Sequence, residues 1–409
     1  MKSKLEVKNL YKIYGAHPEM ALELVAKGVS PDKIREQTGQ VAAVMDVSFA
    51  VREGEIFTIM GLSGSGKSTL VRCLNRLIEP TRGQVFLDDT DIIDLPRTEL
   101  RKVRRHKIAM VFQNFALLPH KTVAENVQFG LSIRGESTRA CTQTAHKVLE
   151  QVGLAGWADR YPDDLSGGMK QRVGLARSLA SDPDVLLMDE PFSALDPLIR
   201  DELQQELLKL QREIRKTIVF ITHDFNEAVK LSDHLAVMRD GRFVQVGTPQ
   251  EIVFQPTNDY VRNFSREMDR GKVLTAGLLA ENTALISVAA EGTVEATIER
   301  LRQAGRTHAA VLTPSGEPDR YVSARELMTQ PAQRTVSSCL THELTAPLAA
   351  GRIIADAYGS FTGEVPVPVT DRDGRLIGLL TAEDVLSALS GEAGPSPTSN
   401  LPILQESQP

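Results

Sequence analysis

Gly61-Leu-Ser-Gly-Ser-Gly-Lys-Ser-Thr69 constrains this chain more than any other stretch. It fits the pattern G-x-x-x-x-G-K-[ST] and adds a glycine at Gly64. The apolar run Ile56-Phe-Thr-Ile-Met60 before it has strand character, and Leu70-Val-Arg-Cys-Leu-Asn-Arg-Leu77 after it is apolar at helical spacing. Strand, glycine loop and helix in that order form a phosphate cradle. Glycines let backbone N–H groups close around phosphate oxygens, and the helix N-terminus adds partial positive charge. Gly61, Ser63, Gly64, Ser65, Gly66, Lys67, Ser68 and Thr69 are therefore the candidate nucleotide contacts. Lys67 is placed for the β- and γ-phosphates and the Ser68 hydroxyl for Mg²⁺, so the expected ligand is a nucleoside triphosphate.

The rest of the chain narrows the setting. Its 409 residues are enough for two or three domains, and 42% hydrophobic with 24% charged residues is ordinary for a soluble globular protein. A net charge of −6 argues against nucleic acid as the partner, because domains that bind it are usually basic. Cys73, Cys141 and Cys339 are odd in number and far apart, which fits neither a zinc site nor a disulfide framework and suggests a reducing compartment. The first residues lack the apolar core of a secretory signal. No apolar run approaches the roughly 18 residues of a spanning helix, so a membrane role is expected to come through a partner.

Strand character at residues 4–14 ends in Tyr14, and 17–40 read as two helices, the second opened by Ser30-Pro31. Strands are expected at 44–51, 83–89 and 108–112, the last followed by Gln113 and preceded by the basic run 101–107. That run reads as a solvated helical or loop face, with anionic lipid or an acidic segment as the alternative. Residues 122–177 read as mainly helical with one break at 161–168. Val185-Leu-Leu-Met188 is a buried strand ending in Asp189-Glu190, and a polar helix from Ile199 leads to the strand 217–222 and His223. Strands alternating with helices imply an α/β fold with a mainly parallel sheet covered on both faces. Beyond residue 265 a unit repeats after 58 residues: Ala309 to Leu312 answers Val367 to Thr370, Gly316 answers Gly374, and Tyr321 to Leu327 answers Leu379 to Val385. The final 19 residues hold nine Gly, Pro or Ser, a composition expected to stay disordered.

Asp189 at the tip of a buried strand is suited to hold Mg²⁺, and Glu190 beside it to polarise a water as general base. Leu165-Ser-Gly-Gly-Met-Lys-Gln-Arg172 then resembles the signature of ABC-type ATPases. With the phosphate loop, Gln113, Asp189-Glu190, Ser193-Ala-Leu-Asp196 and His223, the ABC set is present in order. The resemblance implies a head-to-tail homodimer in which Ser166, Gly167 and Gly168 of one copy face the phosphate loop of the other. It assigns Tyr14 to stacking on adenine, Gln113 to Mg²⁺ and the attacking water, His223 to the γ-phosphate, and Asp196 to the dimer interface. Glu190, His223 and Gln113 are thus the expected catalytic set, Ser68, Gln113 and Asp189 the metal set, and ATP with Mg²⁺ the ligands.

The insertion at 17–40 and stretches such as Asn75 to Gly83, Lys107 to Gln113 and Phe192 to Arg200 narrow the resemblance to ATPase subunits of glycine betaine/proline importers. Such a subunit is expected at the cytoplasmic face of the cell membrane, held there by a separate integral permease, with a periplasmic or lipid-anchored solute-binding protein as indirect partner. Choline or carnitine as the solute, and a soluble ABC ATPase without a transport role, remain alternatives. The C-terminal repeat resembles a tandem pair of CBS domains of α+β type and a regulatory role. In it Thr381 and Asp384 are candidates to hold a nucleotide. The first repeat departs, with Arg320 in place of Gly378 and Glu326 in place of Asp384, so a dimerisation module without ligand stands beside that reading. The expected domains are a P-loop ABC nucleotide-binding domain at 1–265 with a helical subdomain at about 114–177, a linker at 266–280, the CBS pair at 281–390 (about 281–330 and 335–390), and a tail at 391–409.

Overall fold

A computed structural model describes residues 3–265, 270–313 and 317–390. The tail at 391–409, part of the expected linker and Gly316 lie outside the described residues. The chain divides into two compact units, 1–268 and 269–409.

In the first unit the strand β1 (Ser3–Tyr14) is followed by the short helices α1 (Pro18–Ala26) and α2 (Pro31–Thr38), both opened by proline at the first turn. Then come β2 (Val41–Arg52), β3 (Ile56–Met60), α3 (Lys67–Leu74), β4 (Arg82–Leu87), β5 (Thr90–Asp91), α4 (Arg97–His106) and β6 (Ile108–Val111). A helical layer follows, α5 (Val123–Arg134), α6 (Thr138–Gln151) and α7 (Gly167–Ala180). The chain returns through β7 (Val185–Asp189), α8 (Pro197–Ile214), β8 (Thr217–Thr222), α9 (Phe225–Leu231), β9 (His234–Arg239), β10 (Arg242–Gly247), α10 (Pro249–Phe254) and α11 (Asp259–Ser265).

The main sheet has six strands in the order β10-β9-β3-β8-β7-β6, parallel except for the β9–β10 hairpin. Every residue of β3, β7 and β8 is buried, as unbroken apolar runs demand when both faces are covered. Ile59, Leu187 and Val219 face one core with Leu70 and Leu74 of α3, while Leu186, Met188 and Phe220 face another with Leu203 and Leu207 of α8.

The strands at residues 4–14, 44–51 and 83–89 do not join the parallel sheet. They form a separate antiparallel sheet, β2-β1-β4-β5. Their physical signature is alternation: β2 switches between buried and exposed along most of its length, as a one-sided sheet requires. The α1–α2 insertion has its own small core, in which Ala21, Val25 and Ile34 pack on Ile13, Ala42 and Met45. The break between helices of the helical layer is wider than 161–168, because α6 stops at Gln151 and two single 3₁₀ turns follow. The basic run belongs to α4, and Arg104 there donates to the carbonyls of Asn75 (2.8 Å) and Arg76 (2.5 Å) just past the end of α3.

The second unit contains α12 (Ala276–Glu281), β11 (Ser287–Ala289), α13 (Val294–Gln303), β12 (His308–Leu312), β13 (Pro318–Ser323), α14 (Ala324–Leu327), β14 (His342–Glu343), β15 (Leu348–Ala349), β16 (Val367–Thr370), β17 (Leu376–Leu380) and α15 (Ala382–Ser390). The repeat is structural. Ala309 pairs with Val322 and Ala310 with Tyr321, and in the second copy Val367 pairs with Leu380 and Pro368 with Leu379. Even the register shift recurs, between Val311 and Leu312 and between Val369 and Thr370.

Candidate functional site

The parallel register of the main sheet assembles the site. Met60 lies beside Thr222, Asp189 beside Ile221 and Val111 beside Met188, so the loops leaving β3, β8, β7 and β6 open on one carboxyl edge. Ligands of open α/β sheets bind at such an edge.

Gly61 and Gly66 are required by the backbone itself. At Gly66 φ is +103°, and a Cβ there would lie 2.1 Å from the Ala43 carbonyl oxygen; at Gly61 it would lie 2.2 Å from that of Met238. The loop is thus wrapped tightly against β2 and β9. Inside it the Lys67 ammonium donates to the carbonyls of Gly61 (2.9 Å) and Leu62 (3.0 Å) and lies 3.9 Å from Glu190. Burial pulls Lys67 below the ordinary lysine range, against the opposing pull of Glu190 and Asp189. The Ser65 hydroxyl is buried and has no partner among the described residues.

Asp189 is fully buried. It accepts from the Ser68 hydroxyl at 2.7 Å and from Arg72 at 3.1 Å. Hydroxyl, carboxylate and the Gln113 side-chain amide supply the hard oxygen donors that suit Mg²⁺.

Glu190 is the meeting point. Its carboxylate receives Gln113 Nε2 at 3.3 Å and His223 Nδ1 at 3.1 Å, besides facing Lys67. Its backbone is left-handed, φ +45°, which a side-chain-bearing residue adopts only where its surroundings hold it; its N–H donates to the Ile221 carbonyl at 3.2 Å. Gln113 also reaches the Ser193 hydroxyl at 3.4 Å.

Tyr14, Ser166 to Gly168 and Asp196 lie outside this cluster. The Tyr14 hydroxyl is 3.4 Å from that of Thr69, and its exposed ring carries the Lys12 ammonium 4.9 Å from the centroid. Ser166 caps α7 by accepting from the N–H of Met169, and Asp196 caps α8 by accepting from that of Ile199. A Cβ on Gly168 would meet Ile199 at 2.5 Å, which makes the glycine a packing requirement between α7 and α8. No hydrogen bond among the described residues joins Ser166 to Gly168 or Asp196 to the phosphate loop of the same chain.

Arg72 is a contact that sequence reasoning did not single out. It stands on α3 one turn beyond Ser68, on the face that meets Asp189, and only the pairing of distant segments reveals it.

In the second unit the candidate nucleotide residues are engaged by protein. Asp384 accepts from the N–H and hydroxyl of Thr381 (2.7 and 2.8 Å) and takes a bidentate pair from Arg306 (2.6 and 3.1 Å). Glu326, its counterpart in the first repeat, bonds His342 at 2.9 and 3.1 Å.

Residues 44–193 match the family described as ABC transporter, and residues 349–391 the CBS domain, within the second repeat. The glycine betaine/proline betaine transport system ATP-binding protein ProV of Salmonella typhimurium is 47% identical over 404 residues, 96% of this chain and 99% of that protein. The glycine betaine/carnitine transport ATP-binding protein GbuA of Listeria monocytogenes is 45% identical over 396 residues, 95% of this chain and 98% of that protein. Among solved structures, a dimeric post-hydrolysis state of the ATP-binding cassette MJ0796 bound to ADP and Pi superposes with a TM-score of 0.51. It is 34% identical and covers 60% of this chain and 98% of that one.

Proposed function

The chain belongs to the ATP-binding subunits of glycine betaine-type ABC transporters, and from that premise we propose that its ATP hydrolysis drives uptake of a quaternary amine such as glycine betaine or proline betaine. Carnitine is the second reading, favoured by the likeness to GbuA. The observation that carries the enzymatic part is the convergence of Lys67, Gln113 and His223 on the single carboxylate of Glu190.

Each residue then has a task. Lys67 leaves its two loop carbonyls for the β- and γ-phosphates, and the Ser65 hydroxyl and loop amides close on the remaining oxygens. Ser68, Asp189 and Gln113 would hold Mg²⁺, which when bound offsets phosphate charge. Glu190 takes the proton of the attacking water as general base, and His223, released from Glu190, orients that water against the γ-phosphate. Tyr14 stacks on adenine. The N-terminus of α7 at Ser166, Gly167 and Gly168 offers its unpaired N–H groups to the nucleotide of a second copy, so ATP draws two chains together head to tail with Asp196 at their seam. Hydrolysis removes the shared phosphate and releases them. No helix among the described residues is long and apolar enough to cross a membrane. In this reading, as for an ATP-binding subunit of a transport system, a separate permease carries the solute and the chain works at its cytoplasmic face. The CBS pair acts as a regulator. The Arg306–Asp384 pair favours a role without a bound nucleotide, because a ribose would first have to displace that arginine.

The test is affinity capture from detergent-solubilised native membranes followed by reconstitution with labelled glycine betaine, proline, choline and carnitine. Co-purification of a multi-span permease and ATP-dependent uptake of the first solute are expected. Capture of soluble proteins alone would overturn the transport reading and leave the ATPase.

A further inference from the structure

Two loops of the site lead into helices that are fastened to each other. Ser193 to Asp196 runs into α8, and His223 is followed at once by Asp224 and α9. Three α8 side chains reach α9 or its cap. Gln204 donates to Glu227 at 2.8 Å, both residues being buried, and Lys230 bonds Gln204 at 3.0 Å and also pairs with Asp201. The third is Arg200, and of these three side chains it alone touches both loops, which Glu190 also joins by accepting from the Ser193 hydroxyl (3.0 Å) and meeting His223 (3.1 Å). One terminal nitrogen donates to the Leu195 carbonyl at 3.1 Å, inside the Ser193–Asp196 loop. The other pairs with Asp224 at 3.4 Å, next to His223.

Asp224 is firmly placed. Its second oxygen accepts from the N–H groups of Asn226 (2.9 Å) and Glu227 (3.2 Å) and so caps α9. Arg200 is less settled. Its Nε is buried without a partner among the described residues, an arrangement that costs free energy. A guanidinium is a rigid planar fork, so a movement of the Leu195 carbonyl at one tip is passed to Asp224 at the other.

We propose that Arg200 is a positioning residue that couples the Ser193–Asp196 loop to His223, so that docking of a second copy against that loop sets the histidine for hydrolysis. This rests on the proposed roles of Asp196 at the seam and His223 at the γ-phosphate. A guanidinium that merely packed there would affect stability and ATP affinity; one that couples the loops affects turnover and cooperativity.

The experiment uses the full chain and measures kcat, KM for ATP, the Hill coefficient and thermal melting for R200M, R200K, D224N and H223A. For R200M, kcat is expected to fall about tenfold as His223 loses its placement, with KM held within about twofold. Its Hill coefficient falls toward about 1, and R200K recovers part of both losses. D224N keeps the oxygen that caps α9 but removes the carboxylate charge, so it should repeat the kcat loss with little change in melting. That variant also covers the case in which R200M fails to fold. Wild-type kcat and cooperativity in D224N would overturn the coupling, as would an R200M defect confined to KM and melting. H223A separates the two layers: full activity there sinks the role of His223 and the coupling with it, whereas an inactive H223A beside a fully active R200M sinks the coupling alone.

Discussion

Replacing Arg306 by methionine probes the second unit where its two repeats are joined. Arg306 stands between α13 and β12 of the first repeat. Its guanidinium spans Asp384 of α15 and the Leu379 carbonyl (2.6 Å) of β17, both in the second repeat. The side chains of Arg306 and Asp384 are 10% and 7% exposed. Removing one member of a buried pair leaves the other charged and unsolvated, at a cost of about 3–5 kcal/mol. Thr381 still donates twice to Asp384, which places R306M near the lower figure, about 3 kcal/mol. Removing both charges while keeping an acceptor for Thr381 is far milder: R306M/D384N should lie within about 1 kcal/mol of wild type, because the desolvation penalty goes with the charged pair. Amide hydrogen exchange read by mass spectrometry on the full chain localises the effect. Peptides from β12, β16 and β17 should exchange more than about a hundredfold faster in R306M through unfolding of the unit, and near the wild-type rate in the double variant. If R306M left exchange unchanged, the pair would be a surface-like contact of little worth. If the double variant were as damaged as the single one, packing of the aliphatic stem, and not charge burial, would be the cause.

Three further outcomes follow from the same geometry. E190Q should bind ATP and accumulate as a closed dimer on light scattering, with phosphate release slowed by at least about a hundredfold; wild-type turnover would remove Glu190 as the base. G66A should keep the overall fold yet lose ATP binding in a titration, because the new Cβ meets the Ala43 carbonyl at a left-handed φ of +103°, and unchanged affinity would mean that the loop moves freely against β2. Burial, with Arg306 adding to it, holds the His308 imidazole below its ordinary value of 6.5 while Asp384, Glu326 and Glu364 oppose. The unfolded chain therefore takes up a proton near 6.5 that the folded unit refuses. Stability of the second unit is full above that pH and declines as pH falls toward the lowered folded value; melting between about pH 7.5 and 5.5 should show this, and H308N should flatten it.

The order of elements was readable because it is written locally. Buried runs such as Val185 to Met188 announce strands covered on both faces, and Ser30-Pro31 announces a helix start one residue on. The repeat was legible for the same reason, and its structural register keeps the 58-residue offset of the sequence. What the pattern did not separate was two sheets from one. β1 and β2 differ from β3 in alternating, yet which strands pair is decided by contacts between residues far apart in the chain, such as Leu5 with Leu87.

The site divides along the same line. Lys67, Ser68, Gln113, Asp189, Glu190 and His223 were legible because each stands at the end of a strand, in the loop after one or in the first turn of α3, where residue order carries its meaning. Their mutual arrangement was not: Lys67, Gln113 and His223 all face Glu190, and Ser68 faces Asp189. Arg72 and Arg200 escape sequence reasoning because an arginine on a helix is ordinarily solvent-facing. The sheet register carries Asp189 to Arg72 on α3, and the packing of α9 beside α8 carries Asp224 to Arg200, pairings that only the folded chain reveals.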